Sequence, residues 1–494
     1  MLKIRTEEKE DVFLTVALNH TDDLCGASAG ELTKAFASGG LSPVESTKAA
    51  LARAEAVNSA LNAFTVIDHE GALRAAAGAE QRWKAGNPLS PVDGVPVTIK
   101  DIVLCNGLDV RYGSLTAADV SGEPDAPSVD RLRQAGAVIL GLTNTPEFGW
   151  KAVTDNRRHG ITRNPFDPSK TSGGSSGGAA VAAATGAGAL HLGTDGGGSI
   201  RIPASFCGIV GLKPSFGRVP AYPASAYGTV AHIGPMARTV EDVALMLNAM
   251  GGRDIRDWAQ PNIEFEPVAP KPVNWSKVRI GYWQVPCVGT VESETARHVE
   301  AVMSDLALAG AAVEEIRLPD QDDLLEIFYR HWYVGAANRL TAVNPTDHAK
   351  LDPGFLDAAR RGQRYSAVER MQAEVARATY GAKMDALLER YDFLISATVP
   401  IPPFEAGANV PSGSDFQSWV EWSSYSFPLN LSQQPACSVP CGFTNSGLPV
   451  GLQIVGARLA DAKVLSAALT YQYMYPERFL SLGAPWPTPA RGAA

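Results

Sequence analysis

The sequence places two serines in glycine-rich segments, and both are candidates for nucleophilic chemistry. Ser175 lies in the run 171–178, and Ser199 lies in the run 193–203. Glycine concentrates where the backbone adopts unusual dihedral angles or approaches another group closely. Two such loops can aim backbone N–H groups at a small anion, such as the tetrahedral oxyanion that forms when a nucleophile attacks a carbonyl carbon.

Ser199 is the stronger candidate for the attacking group because three consecutive glycines precede it, Gly196, Gly197 and Gly198. If this loop curls, the N–H groups of the glycines and of Ser199 point into one cavity. Each well-placed donor of that kind lowers the barrier by roughly 3 kcal/mol. The sequence therefore predicts Ser199 as nucleophile and these four residues as an oxyanion hole.

A serine nucleophile needs a general base, and neither glycine-rich run contains a histidine. Lysine can serve where burial lowers its pKa enough for the amine to be neutral. Lys100 directly follows the apolar run 95–99, which we expect to be a buried strand. Taken alone, it is better explained as a surface residue at a strand end. Together with the two loops, it is predicted as the base, with the Ser175 hydroxyl relaying the proton from Ser199.

Strands that alternate with helices must position these loops, which indicates a layered α/β architecture. Periodicity predicts helices over 42–56, 70–84, 128–134, 178–186, 239–250, 292–308 and 460–473, and strands over 95–99, 137–142, 189–193, 277–282, 312–318, 392–397, 436–443 and 450–455. We find no repeat of fixed period and no linker. The prediction is an N-terminal arm over 1–25, one domain over 26–480 and a C-terminal tail over 481–494.

Composition narrows the functional classes. The 494 residues are 45% hydrophobic and 19% charged, with a formal net charge of −9, which is typical of a soluble globular protein. The negative charge argues against a nucleic-acid partner or an anionic membrane surface. The six cysteines have neither zinc-site nor disulfide spacing, and no signal peptide or membrane span is visible. We therefore predict a cytoplasmic protein that binds no metal.

Three motifs, in this order, resemble the amidase signature family: GVPVTIKD at 94–101, GGSSGG at 173–178 and GTDGGGSIRIP at 193–203. The runs 141–148, 208–214 and 447–453 resemble it as well. The resemblance covers about 27–475, nearly the whole chain. It implies one large α/β domain with a central mixed β-sheet that helices cover on both faces.

The resemblance also implies a role for each matching residue. Ser199 corresponds to the nucleophile, Lys100 to the base, and Ser175 to a middle serine whose peptide bond from Gly174 is cis. The matching oxyanion donors are Gly196, Gly197, Gly198 and Ser199, and the matching supporting residues are Thr194, Ser176 and Arg201. Arg201 is equally well explained by a structural ion pair with Asp195. The implied reaction is hydrolysis of an amide C–N bond through an acyl-enzyme, with water and no cofactor.

Three alternatives stay open. Residues 173–177 fit the G-x-S-x-G elbow of α/β-hydrolases, with Ser175 as nucleophile, although 164–169 indicates a loop where that elbow needs a strand. The glutaminase subunit of a tRNA-dependent amidotransferase shares the signature and works with partner subunits. A catalytically silent binding protein on the same scaffold is the third.

The substrate is less defined than the chemistry. Phe148 and Trp150, together with Tyr329, Trp332 and Tyr333 in a segment expected to vary, favour a bulky or aromatic amide. Esters, anilides and carbamates share the same oxyanion chemistry. The tryptophans Trp419 and Trp422 are candidates for the pocket or for packing. We expect a monomer or a homodimer.

Overall fold

A computed structural model of the protein describes residues 21–480. Residues 1–20 of the predicted arm, and the whole predicted tail 481–494, lie outside the described residues. The last part of the predicted arm contains a short helix, α1, over Thr21–Gly26.

The bounds of the elements are as follows. The strands are β1 Phe64–Ile67, β2 Pro96–Lys100, β3 Val138–Thr143, β4 Asp155–Asn156, β5 Gly160–Ile161, β6 Leu190–Asp195, β7 Val210–Lys213, β8 His232–Ala237, β9 Arg279–Trp283, β10 Ala312–Ile316, β11 Phe393–Ala397, β12 Ala436–Phe443 and β13 Pro449–Val455. The helices after α1 are α2 Ala29–Ser38, α3 Pro43–Leu61, α4 His69–Lys84, α5 Pro127–Gln134, α6 Gly177–Thr185, α7 Arg201–Phe206, α8 Val240–Met250, α9 Ser293–Leu308, α10 Leu324–Leu340, α11 Pro353–Gly362, α12 Ala367–Arg390, α13 Trp419–Trp422, α14 Pro428–Ser432 and α15 Asp461–Met474. Short 3-10 turns cover Glu147–Gly149, Gly228–Val230, Trp275–Lys277, Pro345–Lys350 and Pro476–Arg478.

Eleven strands form one mixed sheet in the order β1-β3-β2-β6-β8-β7-β12-β13-β11-β9-β10. Strand β2 runs parallel to β3 and β6, and β9 runs parallel to β10 and β11, whereas the other neighbours are antiparallel. The prediction of a layered α/β domain with a central mixed sheet is confirmed.

Helices cover both faces of the sheet. On β6, Leu190 and Leu192 belong to a large buried cluster that includes side chains of α8 and α15. On the neighbouring β8, Met236 belongs to a separate cluster with side chains of α3 and α6. Met236 pairs with His191, which lies between Leu190 and Leu192 on β6. Since alternate residues of a strand face opposite sides of the sheet, Met236 faces the side opposite to the two leucines, and the two clusters are cores on opposite faces.

The parallel pairing of β2 with β6 positions the site. Because parallel strands end at the same edge of a sheet, Lys100 at the end of β2 lies beside Thr194 near the end of β6. Helix α6 begins at Gly177, directly after the loop that carries Ser175, and places this loop at the same edge. A Cβ at Gly178 would lie 2.4 Å from the backbone nitrogen of Asn144, so only glycine permits this close approach.

Strands β1, β7 and β8 and helix α7 were not predicted by the sequence patterns. Strand β8 contains Gly234 and Pro235, residues that favour loops over strands. Strand β7 has only four residues and includes Gly211. In the middle of the sheet, β8 pairs with β6 and β7 pairs with β12. These contacts between distant segments, which local sequence patterns do not indicate, make both segments strands.

Candidate active site

Lys100 is fully buried at the end of β2, and its amine contacts three hydroxyl groups. The Nζ atom lies 2.6 Å from Ser175 Oγ, 2.9 Å from Ser176 Oγ and 3.0 Å from Thr194 Oγ1. Within residues 21–480, no carboxylate forms an ion pair with this amine. The surface-lysine explanation for this position is therefore wrong.

Burial lowers the pKa of Lys100 well below its usual value of 10.5, although the charge of Asp195 opposes the shift. Desolvation disfavours the charged form of an amine, and hydroxyl groups compensate it less than a carboxylate would. The lysine is thereby shifted toward the neutral amine that a general base requires.

The two glycine loops are tied to each other through Ser176. Its Oγ donates to the Thr194 carbonyl oxygen at 3.1 Å, and the Thr194 N–H lies 3.2 Å from the same Oγ. The Ser176 N–H donates to the Ser199 carbonyl oxygen at 3.1 Å. The peptide bond between Gly174 and Ser175 is cis, as the resemblance implied. These contacts bring both predicted serines to the edge of the sheet where β6 ends.

Ser175 and Ser199 line one cavity of about 220 Å³, together with Thr194 and Gly196. The side chain of Ser175 reaches Lys100, but within the described residues Ser199 Oγ forms no hydrogen bond with Ser175. The structure thus contains the Lys100–Ser175 contact and places Ser199 on the same cavity, whereas the relay itself stays a prediction. Catalytic hydrogen bonds can be long before substrate binds and can tighten in the complex.

The four predicted oxyanion donors divide into two groups. The N–H groups of Gly196, Gly197 and Ser199 make no hydrogen bond within residues 21–480, and Gly196 and Ser199 line the cavity. The Gly198 N–H instead donates to Asp195 Oδ1 at 2.8 Å. The prediction of Gly198 as an oxyanion donor is corrected accordingly: its N–H holds the loop, and its φ of 124° lies in the region that favours glycine.

Asp195 and Arg201 form a fully buried ion pair behind this loop. The carboxylate accepts Arg201 Nε and Nη2, both at 2.9 Å. Arg201 Nη1 also donates to Gln453 Oε1 at 2.8 Å and to the Ser426 carbonyl oxygen at 3.1 Å. The expected Asp195 partner of Arg201 is therefore found, and the pair anchors the loop to strand β13 and to the segment before α14.

The Asp195 carboxylate is also buried, which raises its pKa, but the charge and hydrogen bonds of Arg201 outweigh burial and hold the pKa well below its usual range. A charged carboxylate that accepts several N–H groups fixes the loop geometry. This network is structural in its contacts, because within the described residues neither side chain lines the cavity.

The pocket walls are only partly those expected. Phe148 and Trp332 line the cavity. Trp150 does not: it lies against Gly354, where an added Cβ would be 2.6 Å from its ring. Trp419, Trp422, Tyr329 and Tyr333 are likewise absent from the cavity lining. Phe148, two residues earlier, has a left-handed backbone conformation with φ 53°, and it is the ring of this pair that lines the cavity.

Sequence patterns missed other wall residues, which come from distant segments. They are Tyr112 from the loop after β2, Tyr227 from the segment before β8 and Arg339 from the last turn of α10. The Tyr227 ring stacks on Trp332 with centroids 4.0 Å apart. A tyrosine in an irregular segment, or an arginine in the last turn of a helix, carries no sequence signal that separates a pocket wall from surface packing.

A family model for amidases matches residues 45–465, and thus most of the chain. The chain belongs to the amidase signature family. It is 34% identical to an acylamidase of Rhodococcus erythropolis over 91% of this chain and 95% of that protein. It is also 34% identical to a glutamyl-tRNA(Gln) amidotransferase subunit of Symbiobacterium thermophilum, over 90% of this chain and 96% of that one.

Solved structures agree with this assignment. The fold is similar to that of a bacterial aryl acylamidase of the family, with a TM-score of 0.84, 27% identity and coverage of 93% and 98% of the two chains. It is also similar to 6-aminohexanoate cyclic dimer hydrolase, with a TM-score of 0.82, 28% identity and coverage of 92% and 97%. This amidase signature protein is an enzyme, a hydrolase of amides.

Residues 21–480 contain neither a metal-binding cluster nor a membrane-spanning helix. No group of three or more histidine, cysteine or acidic side chains could hold a metal ion. No helix combines the length and the apolar character needed to cross a bilayer.

Proposed function

We propose that this amidase signature enzyme hydrolyses carboxylic amides through an acyl-enzyme on Ser199, with Lys100 and Ser175 moving the proton. The observation that carries the proposal is the fully buried Lys100 amine, which lies 2.6 Å from the Ser175 hydroxyl and, among residues 21–480, forms hydrogen bonds with hydroxyl groups only. A hydroxyl both donates and accepts, so Ser175 can pass a proton from Ser199 to a neutral lysine.

The first step forms the acyl-enzyme. Ser199 Oγ attacks the amide carbon while its proton passes to Ser175 Oγ and the Ser175 proton passes to Lys100 Nζ. The N–H groups of Gly196, Gly197 and Ser199 are the available donors for the oxyanion. When the C–N bond breaks, Lys100 returns the proton through Ser175 to the leaving amine. Water then attacks the ester carbon while the same relay takes its proton; as the C–Oγ bond breaks, the relay returns this proton to Ser199 Oγ and the carboxylic acid is released.

The walls of the cavity favour an aromatic or bulky amide, such as an aryl amide or anilide, with carbamates as related substrates. Phe148, Tyr112, Tyr227 and Trp332 present rings to the space that Ser199 faces. Aromatic groups pack favourably against such walls. The acylamidase and aryl acylamidase activities named for two similar proteins are in line with this substrate class.

The decisive experiment compares wild type with Ser199→Ala on aliphatic amides, anilides, aryl amides, carbamates and glutamine. We expect Ser199→Ala to lose about 10³-fold or more of kcat, and a fluorophosphonate to label wild type at Ser199. Ser172→Ala is the control, since Ser172 is a buried serine of the loop that carries Ser175, and within residues 21–480 its hydroxyl bonds only backbone carbonyl oxygens. Its kcat should stay close to wild type.

Other outcomes would identify the alternatives. Labelling at Ser175 with retained activity in Ser199→Ala would favour the elbow mechanism, although β5 ends at Ile161, well before Ser175. Ammonia release from glutamine, with co-purifying subunits, would favour the amidotransferase role. No labelling and no turnover would favour a silent scaffold. The cytoplasmic location, the monomeric or dimeric state and the absence of a nucleic-acid partner stay predictions.

A further inference from the structure

Arg339 is a cationic side chain on the wall of the catalytic cavity. It lies in the last turn of α10 and lines the same space as Ser175 and Ser199. Its guanidinium carbon lies 4.4 Å from the ring centroid of Phe148 and 4.9 Å from that of Tyr112. A guanidinium held over two aromatic faces is attracted by both rings and loses little freedom when a ligand binds.

This guanidinium has no anionic partner of its own. Within residues 21–480, the Arg339 guanidinium makes neither an ion pair nor a hydrogen bond, in contrast to its backbone carbonyl, which accepts the Ala342 N–H. By contrast, Arg330 on the same helix also lies over an aromatic ring, but its Nε donates to Glu326 Oε1 at 2.8 Å. The five N–H donors of Arg339 are therefore available to the cavity.

The carboxylates of the segments that carry the two rings are committed elsewhere. Glu147, next to Phe148, accepts Ser114 Oγ at 2.6 Å and the Asp352 N–H at 2.5 Å. Asp101 accepts the backbone N–H groups of Arg111 and Gly113. Asp109 pairs with the Arg111 side chain at 2.5 Å. None of these three carboxylates forms an ion pair with Arg339.

The rings that hold Arg339 are themselves fixed. The Phe148 N–H donates to the Tyr112 carbonyl oxygen at 2.8 Å, which joins the two segments. On the facing wall, Tyr227 is buried against Trp332, and its hydroxyl has no partner in the part of the chain that the structure describes. The half-buried guanidinium thus lies on a mainly aromatic wall, where an opposite charge is screened less than in bulk water.

We propose that Arg339 is a specificity-determining residue that binds a carboxylate on the substrate, so that the preferred substrates are amides carrying an anionic group besides the scissile bond. The inference rests on the proposed amidase function and names its substrate class. A planar guanidinium matches a carboxylate in a bidentate geometry. The aromatic walls then pack against the portion of the substrate between the carboxylate and the amide.

The test uses two matched pairs of amides that differ in charge, one for each side of the scissile bond. In the first pair, the 4-nitroanilide of glutaric acid is compared with that of pentanoic acid. In the second, 4-acetamidobenzoate is compared with 4′-methylacetanilide. Wild type, Arg339→Met, Arg339→Lys and the control Arg330→Met are assayed at a pH where the carboxylates are ionised.

We expect wild type to prefer the anionic member of at least one pair, and Arg339→Met to lower kcat/KM for that member by about 10- to 100-fold. The neutral member should change little. Arg339→Lys should restore part of the preference, since it keeps the charge but not the planar fork. Arg330→Met should keep it, and about 0.5 M salt should weaken it.

Two outcomes would overturn the inference: no preference for the anionic member of either pair, or an equal loss of both members in Arg339→Met. If the neutral anilides are still hydrolysed in a Ser199-dependent way, the proposed amidase function stands while this inference fails. If no compound is turned over, calorimetric binding of 4-acetamidobenzoate and 4′-methylacetanilide to Ser199→Ala decides. Equal affinities there, or affinities unchanged by adding Arg339→Met, would count against Arg339.

Discussion

Two lysines in the described part of this enzyme, residues 21–480, are completely buried, and each ends a strand of the central sheet. Lys100 ends β2 and Lys213 ends β7. Burial lowers the pKa of both well below the usual value of 10.5. Their partners differ. Lys100 contacts three hydroxyl groups, whereas Lys213 donates to two backbone carbonyl oxygens, those of Pro214 and Gln434.

The difference in partners separates a reactive lysine from a structural one. A carbonyl oxygen only accepts, so the contacts of Lys213 cannot deliver a proton to its nitrogen. A hydroxyl has a proton to give and a lone pair to receive another. Burial and a lowered pKa are therefore insufficient to mark a catalytic lysine; the chemistry of the neighbouring atoms decides, together with the cavity that Ser175 and Ser199 line.

The largest expected effect separates the two lysines directly. Lys100→Met should lower kcat by about 10³-fold or more, because the relay loses its base. Lys213→Met should retain kcat within a few-fold but unfold more easily, since two buried carbonyl oxygens lose their donor at a cost of roughly 1–3 kcal/mol each. Steady-state kinetics and urea unfolding of both variants measure the two effects. Equal losses of kcat in both would erase the distinction.

A second comparison concerns another buried cation, Arg201, whose charge is paired with Asp195 behind the loop that carries Ser199. Asp195→Asn keeps the shape of the side chain but leaves Arg201 without its carboxylate, which should cost roughly 3–5 kcal/mol of stability. The loss of an anchored loop should also lower kcat by about 10- to 100-fold, since small displacements of a catalytic group are expensive.

The control for that variant is Asp242→Asn. Asp242 is a buried carboxylate that accepts the Ala29 and Gly30 N–H groups far from the cavity. It should lose stability while kcat for the folded enzyme is unchanged. If Asp195→Asn behaved in the same way, Asp195 would support the fold alone and would have no part in positioning Ser199.

The accuracy of the sequence-based predictions depends on whether a feature is set by neighbouring residues or by contacts between distant segments. The strand that ends at Lys100 and the glycine loops carry their signals within a few residues, and the structure brings them to one edge because β2 and β6 are parallel. The commitment of Gly198 N–H to Asp195 depends on the curl of the loop, which residue types alone do not specify.

The pocket wall is where sequence reasoning fails. Tyr112, Tyr227 and Arg339 come from three segments separated by more than a hundred residues, and their meeting depends on how the loops pack over the sheet. Trp150 was predicted in the wall as one of several bulky aromatic residues, yet its ring lies against Gly354, whereas Phe148 lines the cavity. Periodicity indicates which face of a helix or strand is buried. It does not indicate which residues of distant segments line one cavity.

The smallest expected effect is the pH dependence of stability, where the two lysines should behave alike. An amine whose folded pKa is lowered loses its proton in the folded state first, so the unfolded chain binds more protons between that pKa and 10.5. Stability should therefore rise with pH across this window, by up to about 1.4 kcal/mol per pH unit for each lysine. Either Met variant should flatten the rise by one lysine's share.

The difference in unfolding free energy between a Met variant and wild type isolates the contribution of one lysine from that of groups whose titration changes stability in the opposite direction. Burial raises the pKa of Asp101 to about 7, so this acid makes stability fall as pH rises from about 4 to 7. In kcat/KM, by contrast, the lysines should separate: Lys213→Met keeps the increase with pH that a neutral Lys100 requires, because deprotonation of Lys100 creates the active base. A Lys213→Met profile without that increase would mean that the titration seen in the rate belongs to Lys213, and the hydroxyl partners would then no longer distinguish the two.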